Sequence, residues 1–204
     1  MKVLNLYAGI GGNRRLWEGV DVTAVELSPE IAAIYQEYFP DDKVIVSDAH
    51  EFLLKHYKDF DFIWSSPPCP THSDIRRCGV HAGRYPAEYP DMNLYQEIIL
   101  LKHFAPQACK WVVENVVGYY TPLIEPQVRH RHFFWSNFII PEFKNRLDQR
   151  THNDIVGSSS IYNFDISDTD LDDKRKILRN CVDPKLGLHV FESAFRKVQL
   201  TLDQ

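Results

Sequence analysis

Short apolar runs alternate with amphipathic stretches through the first two-thirds of the chain. Residues 2–7, 21–26, 43–46, 60–64 and 111–114 are the apolar runs, each short enough for a buried strand. Between them, residues 29–38, 49–57 and 94–104 place apolar side chains at helical spacing, and a further helix is expected over residues 13–19. Pro29 stands where the first turn of a helix accepts proline. One or two more strands are expected within residues 132–140. This alternation predicts an α/β domain with a doubly wound, mostly parallel sheet, whose ligands bind at the carboxyl ends of the strands.

Two stretches break the pattern. Residues 76–91 are rich in Gly, Pro, Arg and Tyr without a period, and are expected to form a long functional loop. Residues 147–173 are polar and weakly patterned. Leu188, Phe191, Phe195, Val198 and Leu202 then recur at helical spacing, so an amphipathic helix is expected to close the chain.

Composition narrows the class. With 204 residues the chain suits one cored domain plus a small appendage. No apolar run reaches the roughly 18 residues a membrane span needs, and no signal peptide is read at the N-terminus. The four cysteines, Cys69, Cys78, Cys109 and Cys181, form no CxxC pair. A reduced, cytoplasmic protein without a metal site is therefore expected. The net charge of −5 argues against a uniformly basic coat but leaves room for a local basic face. Arg76-Arg77, Arg84 and Arg129-His130-Arg131-His132 supply such clusters.

The candidate chemistry gathers where strands end. Gly9-Ile10-Gly11-Gly12 follows the first strand, where glycine permits a sharp turn and close approach of a ligand to the main chain. Glu26 ends the second strand, placed to accept from ribose hydroxyls, and Asp48 ends the third, placed to accept from an adenine amino group. Each acid is equally readable as a surface or helix-capping residue. Ser65-Ser66-Pro67-Pro68-Cys69-Pro70 follows the fourth strand, and its prolines stiffen the turn around one thiol. An isolated cysteine is usually inert, so the turn and its position carry the functional reading. Glu114-Asn115-Val116 ends the fifth strand and faces the same crevice. In Gln127-Val128-Arg129-His130-Arg131, an extended backbone would put Arg129 and Arg131 on one side, suited to a base carbonyl and a phosphate, or to a solvated edge.

Taken in order, Asn5-Leu6-Tyr7-Ala8-Gly9-Ile10-Gly11-Gly12, Pro67-Pro68-Cys69, Glu114-Asn115-Val116 and Gln127 to Arg131 resemble the motifs of the cytosine-C5 DNA methyltransferases, across roughly residues 1–140. The compact form is similar to bacteriophage-type members. The resemblance implies the Rossmann-like fold of class I S-adenosylmethionine-dependent methyltransferases. S-adenosylmethionine would be the methyl donor, S-adenosylhomocysteine the product, and double-stranded DNA the partner. It implies that Cys69 attacks C6 of a flipped cytosine, that Glu114 contacts N3 and the exocyclic amine, and that Arg131 holds O2. Arg129 would support the pocket or a phosphate, and Asn115 would order the Cys69 turn. Tyr7, Ala8, Gly9, Gly11, Gly12, Glu26, Leu27, Asp48, Ala49 and Pro67 would line the cofactor site. Ser73, Arg76, Arg77, Arg84 and Gln127 would meet the nucleic acid.

The chain departs from the family at several points. Pro70 stands where Gln is usual, and His72 is unusual before Ser73. The last two family motifs are not recognised, and the recognition region is short. The expected division is a catalytic core over 1–140, a reduced recognition segment over 141–186, and a C-terminal helix over 187–204 packing on the core. A short recognition sequence follows, with a homodimer or helper protein as a source of further DNA contacts. An RNA cytosine-C5 methyltransferase, a non-catalytic nucleic-acid-binding homologue and an NAD-type oxidoreductase remain alternatives, although the last leaves the Pro-Pro-Cys turn without a role. An amino-directed methyltransferase would need an aromatic residue at position 69.

Overall fold

A computed structural model describes residues 1–144, 164–166, 169 and 173–196. Seven strands form one sheet: β1 (Lys2–Leu6), β2 (Asp21–Glu26), β3 (Lys43–Val46), β4 (Phe62–Ser65), β5 (Lys110–Val116), β6 (Gln127–Arg129) and β7 (His132–Ser136). Their order is β3-β2-β1-β4-β5-β7-β6. The first five run parallel, and β7 lies antiparallel between β5 and β6. The sheet is thus the doubly wound, mostly parallel one that the apolar runs predict.

Period-two alternation sends neighbouring side chains of the central strands to opposite layers. Val3, Phe62, Trp64 and Val112 enter one core with Trp17 and Phe191. Leu4, Leu6, Ile63 and Val113 enter the other with Leu53, Ile98 and Leu101. The second layer is built by α2 (Ala49–His56) and α4 (Asn93–Phe104). The first is built by α6 (Pro184–Phe195), near the C-terminus, while α1 (Pro29–Tyr38) and the short α5 (Lys174–Arg179) meet in a third cluster with Ala8, Ile10 and Ala24. Leu178 of α5 packs with Ala8, Ile10, Ile34 and Phe39, fastening this segment to the turn after β1. Among the described residues no helix is long and apolar enough to cross a membrane.

Start signals are local and legible. The Ser28 hydroxyl caps α1 through Ile31 N with Pro29 in its first turn, Asp48 caps α2 through Glu51 N, and Asp183 caps α6 ahead of Pro184. Three expectations are corrected. Residues 13–19 form no helix but a run of turns, with Arg14 N bonded to Gly11 O and Trp17 N to Arg14 O. The tertiary setting overrides the local pattern there. Asn13 Nδ2 is bonded to Asn5 Oδ1, and the Trp17 indole reaches the Gly187 carbonyl on α6. Residues 76–91 are not all loop, because α3 (Asp74–His81) occupies their first part, with Gly79 buried under Tyr85. The closing helix begins at Pro184, earlier than position 187; Val198 and Leu202 lie outside the described residues, as do nearly all of 147–172.

Candidate active site

The crevice opens over the carboxyl ends of β1 and β4, where the strand order reverses. Tyr7 leaves β1 with φ of 54°, a left-handed value that costs a non-glycine residue about 1–2 kcal/mol. Its hydroxyl donates to Glu97 Oε1 at 2.6 Å, which holds the residue there. Gly9 follows with φ of 54° and no atom within 4 Å of where a Cβ would stand, so the turn leaves open space beside its backbone. Gly9 N and Ser28 N donate to the two oxygens of Glu26, at 2.9 and 3.0 Å. Leu27 next to it is exposed at 67%, an apolar face at the crevice rim. Gly12 is closed on its other side by Cys181 and the Val182 carbonyl. The open cradle at Gly9, a carboxylate at the end of β2, and the apolar Leu27 together suit a nucleoside-bearing ligand. Ala8 and Ala49 are buried beside it, and Asp48 uses one carboxylate oxygen as the cap of α2.

Glu97 was missed in the sequence. It is fully buried on α4 and receives Tyr7, the Ser65 hydroxyl at 2.5 Å and His50 Nδ1 at 3.1 Å. One carboxylate thereby joins the ends of β1 and β4 to the start of α2. The signal was available: Glu97 is an acid at a core position of the Leu94, Ile98, Leu101 stripe. Its hydrogen bond and charge raise the titration point of His50 above the ordinary imidazole range, against an opposing effect of burial.

At the chemical end, β4 delivers the turn that carries Cys69, a free cysteine. His72 N and Ser73 N both donate to the Cys69 carbonyl, at 3.0 and 2.9 Å. Asn115 Nδ2 donates to the Pro67 carbonyl at 3.0 Å. Glu114 lies buried next to it on β5. Its Oε2 accepts from Ser66 Oγ at 2.9 Å, and its Oε1 meets His132 Nδ1 at 2.6 Å. Burial pushes the Cys69 thiol up, the Glu114 charge pushes it further, and Arg179 and Lys176 of α5 pull it down. Those two cations were not singled out in the sequence, where nothing local shows that α5 faces the Cys69 turn.

The basic residues divide. Arg129 ends β6 and pairs in register with His132, while His130 and Arg131 make the connecting turn, with φ of 53° at His130. The piece is a hairpin, so the extended reading that put Arg129 and Arg131 on one side is not met. Arg129 donates to the Val128, Ile140 and Pro141 carbonyls. Gln127 is likewise engaged, with its amide holding Ser136, Phe138 and Ile140. Arg76 pairs with Glu88 at 2.7 Å and stacks on Tyr85, and Arg77 lies over Tyr119. Ser73 begins α3 and bridges to Gly118, and Arg84 is exposed beyond the helix. His72 is buried, bonded through Nδ1 to the Tyr120 hydroxyl, and burial lowers its titration point.

A family model described as C-5 cytosine-specific DNA methylase matches residues 1–130. No curated protein matches the sequence. Among solved structures, a methyltransferase of Entamoeba histolytica, EhMeth, superposes with a TM-score of 0.55 at 11% identity, over 96% of this chain and 98% of that one. This likeness carries the fold. Spodoptera frugiperda DNMT2 gives a TM-score of 0.39 at 22% identity over 58% of this chain and 36% of its own. A prophage-encoded DNA modification methyltransferase of Escherichia coli gives 0.37 at 22% identity, over 59% and 33%.

Proposed function

Because the chain belongs to the family of C-5 cytosine-specific DNA methylases, we propose that it methylates carbon C5 of a cytosine flipped out of double-stranded DNA, using S-adenosylmethionine and a covalent Cys69 adduct. One observation carries this reading. Ser66, three residues before Cys69, is hydrogen-bonded to Glu114, so nucleophile turn and acid are tied across adjacent strand ends. Asn115 fixes the same turn from the other side through Pro67.

The residues around Gly9 fit the cofactor. The open cradle at Gly9 admits it, Leu27 offers an apolar face to its base, and Glu26 and Asp48 are the polar partners for ribose and adenine. When bound, the cofactor supplies an electrophilic methyl group. The chain's own residues do the rest. Cys69 sulfur bonds to C6, and the C5–C6 π pair moves into the ring. Glu114 supports the charge that develops at N3. Arg131, in the hairpin turn next to Glu114's strand, is proposed to hold O2. C5 then accepts the methyl group and loses its proton, and the C6–S bond breaks. Extrusion of the base is what lets the half-buried thiol reach it.

Residues 141–186 are proposed as the recognition segment. The charges of Lys176 and Arg179 on α5 act on Cys69, and Arg76, Arg77 and Arg84 are carried on and beyond α3, the next element of the chain. A segment this short reads few base pairs. The test is transfer of labelled methyl groups to duplex DNA and to RNA in parallel, followed by nucleoside analysis. 5-Methyldeoxycytidine from DNA is expected. 5-Methylcytidine from RNA alone would replace the DNA reading, and label in neither would refute methyl transfer.

A further inference from the structure

Both oxygens of Glu114 are occupied. Ser66 Oγ accepts from the Trp64 indole N–H at 2.8 Å, and an indole can only donate. The Ser66 hydroxyl in turn donates to Glu114 Oε2 at 2.9 Å. Oε1 faces His132 Nδ1 at 2.6 Å, and both side chains are buried. With the proton of that contact on Nδ1, Glu114 accepts on both oxygens and has no proton of its own to give. Yet N3 of a cytosine attacked at C6 needs one. Of these two partners, a serine hydroxyl does not ionise in this range, whereas an imidazole is a group that can take up and release a proton.

We propose that His132 is a positioning residue that stores, on its imidazole, the proton Glu114 passes to N3 of the target cytosine. The proposal rests on the cytosine reading above and adds a residue to it. The balance is closed. The starting pair is imidazolium beside carboxylate. As the Cys69–C6 bond forms and the ring electrons reach N3, His132 Nδ1 gives its proton to Glu114 and Glu114 passes it on to N3, which leaves a neutral imidazole beside the carboxylate. After C5 is methylated and has lost its own proton to water, N3 returns its proton to the pair as the C6–S bond breaks. Nothing is oxidised or reduced.

Other charges surround the pair. Arg129 lies opposite His132 in register, but its guanidinium is turned to the 128, 140 and 141 carbonyls and to Glu142. Arg131 precedes His132 in the hairpin turn. On the thiol side, the charges of Glu114, Arg179 and Lys176 all act on Cys69. Phe134, the next inward-facing residue of β7, lies beside the imidazole with ring centroids 6.0 Å apart.

The test compares His132→Asn with wild type. Asparagine keeps an N–H donor near the place of Nδ1 but cannot take up a proton. The rate of adduct formation with duplex DNA containing 5-fluorocytosine is followed from about pH 5.5 to 9. The variant has no imidazole to hold the proton, so its descending limb is expected at lower pH than that of the wild type. The variant is therefore expected to fall behind the wild type by a larger factor at pH 8 than at pH 5.5. Parallel profiles, or no slowing, would overturn the proposal. Should the variant not fold, 15N-histidine NMR of wild-type protein before and after trapping decides instead. One histidine changing from imidazolium to neutral supports the proposal, and no change overturns it. Wild-type protein that forms no adduct at any pH refutes the cytosine reading itself, whereas an adduct with parallel profiles removes only the role of His132.

Discussion

Replacing Gly187 with alanine tests whether α6 holds the cofactor turn in place. A Cβ at position 187 would stand 2.7 Å from Asn13 Cα and closer still to the Asn13 carbonyl oxygen. Carbon atoms rest about 3.5 Å or more apart, so the helix and the turn must separate by at least about 0.8 Å. Both atoms are backbone, so no side-chain rotation relieves the clash. Overpacking of this kind costs about 1–3 kcal/mol, and alanine in a helix returns about 1 kcal/mol over glycine. The net loss of roughly 0–2 kcal/mol lowers Tm by up to about 8 °C for a chain of this size. The displaced segment includes Asn13, which is pinned to Asn5, and it continues directly from Gly9 to Gly12. Affinity for S-adenosylmethionine is therefore expected to fall about 3- to 10-fold, or about 0.7–1.4 kcal/mol. Thermal unfolding and calorimetry measure the two effects. A variant as stable as wild type with unchanged affinity would show that α6 does not support the turn.

Glu114→Gln removes a charge that raises the Cys69 thiol, so alkylation of Cys69 by iodoacetamide near pH 7, read by peptide mass spectrometry, is expected to speed up several-fold while methyl transfer is lost. Slower alkylation would contradict the assigned direction. Asn115→Ala unties Pro67 and strands its carbonyl, at a cost of about 1–3 kcal/mol, and adduct formation is expected to drop more than cofactor affinity; equal losses in both would argue against a role confined to the turn. His50 titrates higher in the folded protein than in the unfolded chain, where an imidazole titrates near ~6.5. Its pairing with Glu97 therefore stabilises fully below that point and is lost as pH rises through the higher folded value. Denaturation curves should show wild-type stability falling across this window and His50→Gln staying flat in comparison; parallel curves would refute the linkage.

Much of the frame was legible because it is local. Residues 21–26, 29–38 and 43–46 are bounded in the sequence where β2, α1 and β3 are bounded in the structure, since apolar runs, Ser28 and Pro29 mark their ends. The helix expected at 13–19 failed because Asn13 and Trp17 are committed to distant partners, a tertiary fact with no local sign. Cys69 and Glu114 were legible from their place after strands, but the partners that tune them were not. His132 read as one of a basic cluster, although its alternation with Phe134 marks an inward-facing strand position. Lys176 and Arg179 were not singled out in the sequence, because only the burial of Leu178 shows which way α5 faces. Gln127 and Arg129 were legible as motif residues, yet both spend donors on partners within residues 128–141.

The central claim is that Cys69 is the nucleophile. Incubation with S-adenosylmethionine and duplex DNA in which 5-fluorocytosine replaces cytosine, followed by proteolysis and mass spectrometry, tests it most directly. The account predicts a stable conjugate mapped to the peptide carrying Cys69 and none with Cys69→Ser. A conjugate that survives in Cys69→Ser, or methylated ordinary DNA from that variant at the wild-type rate, would contradict it.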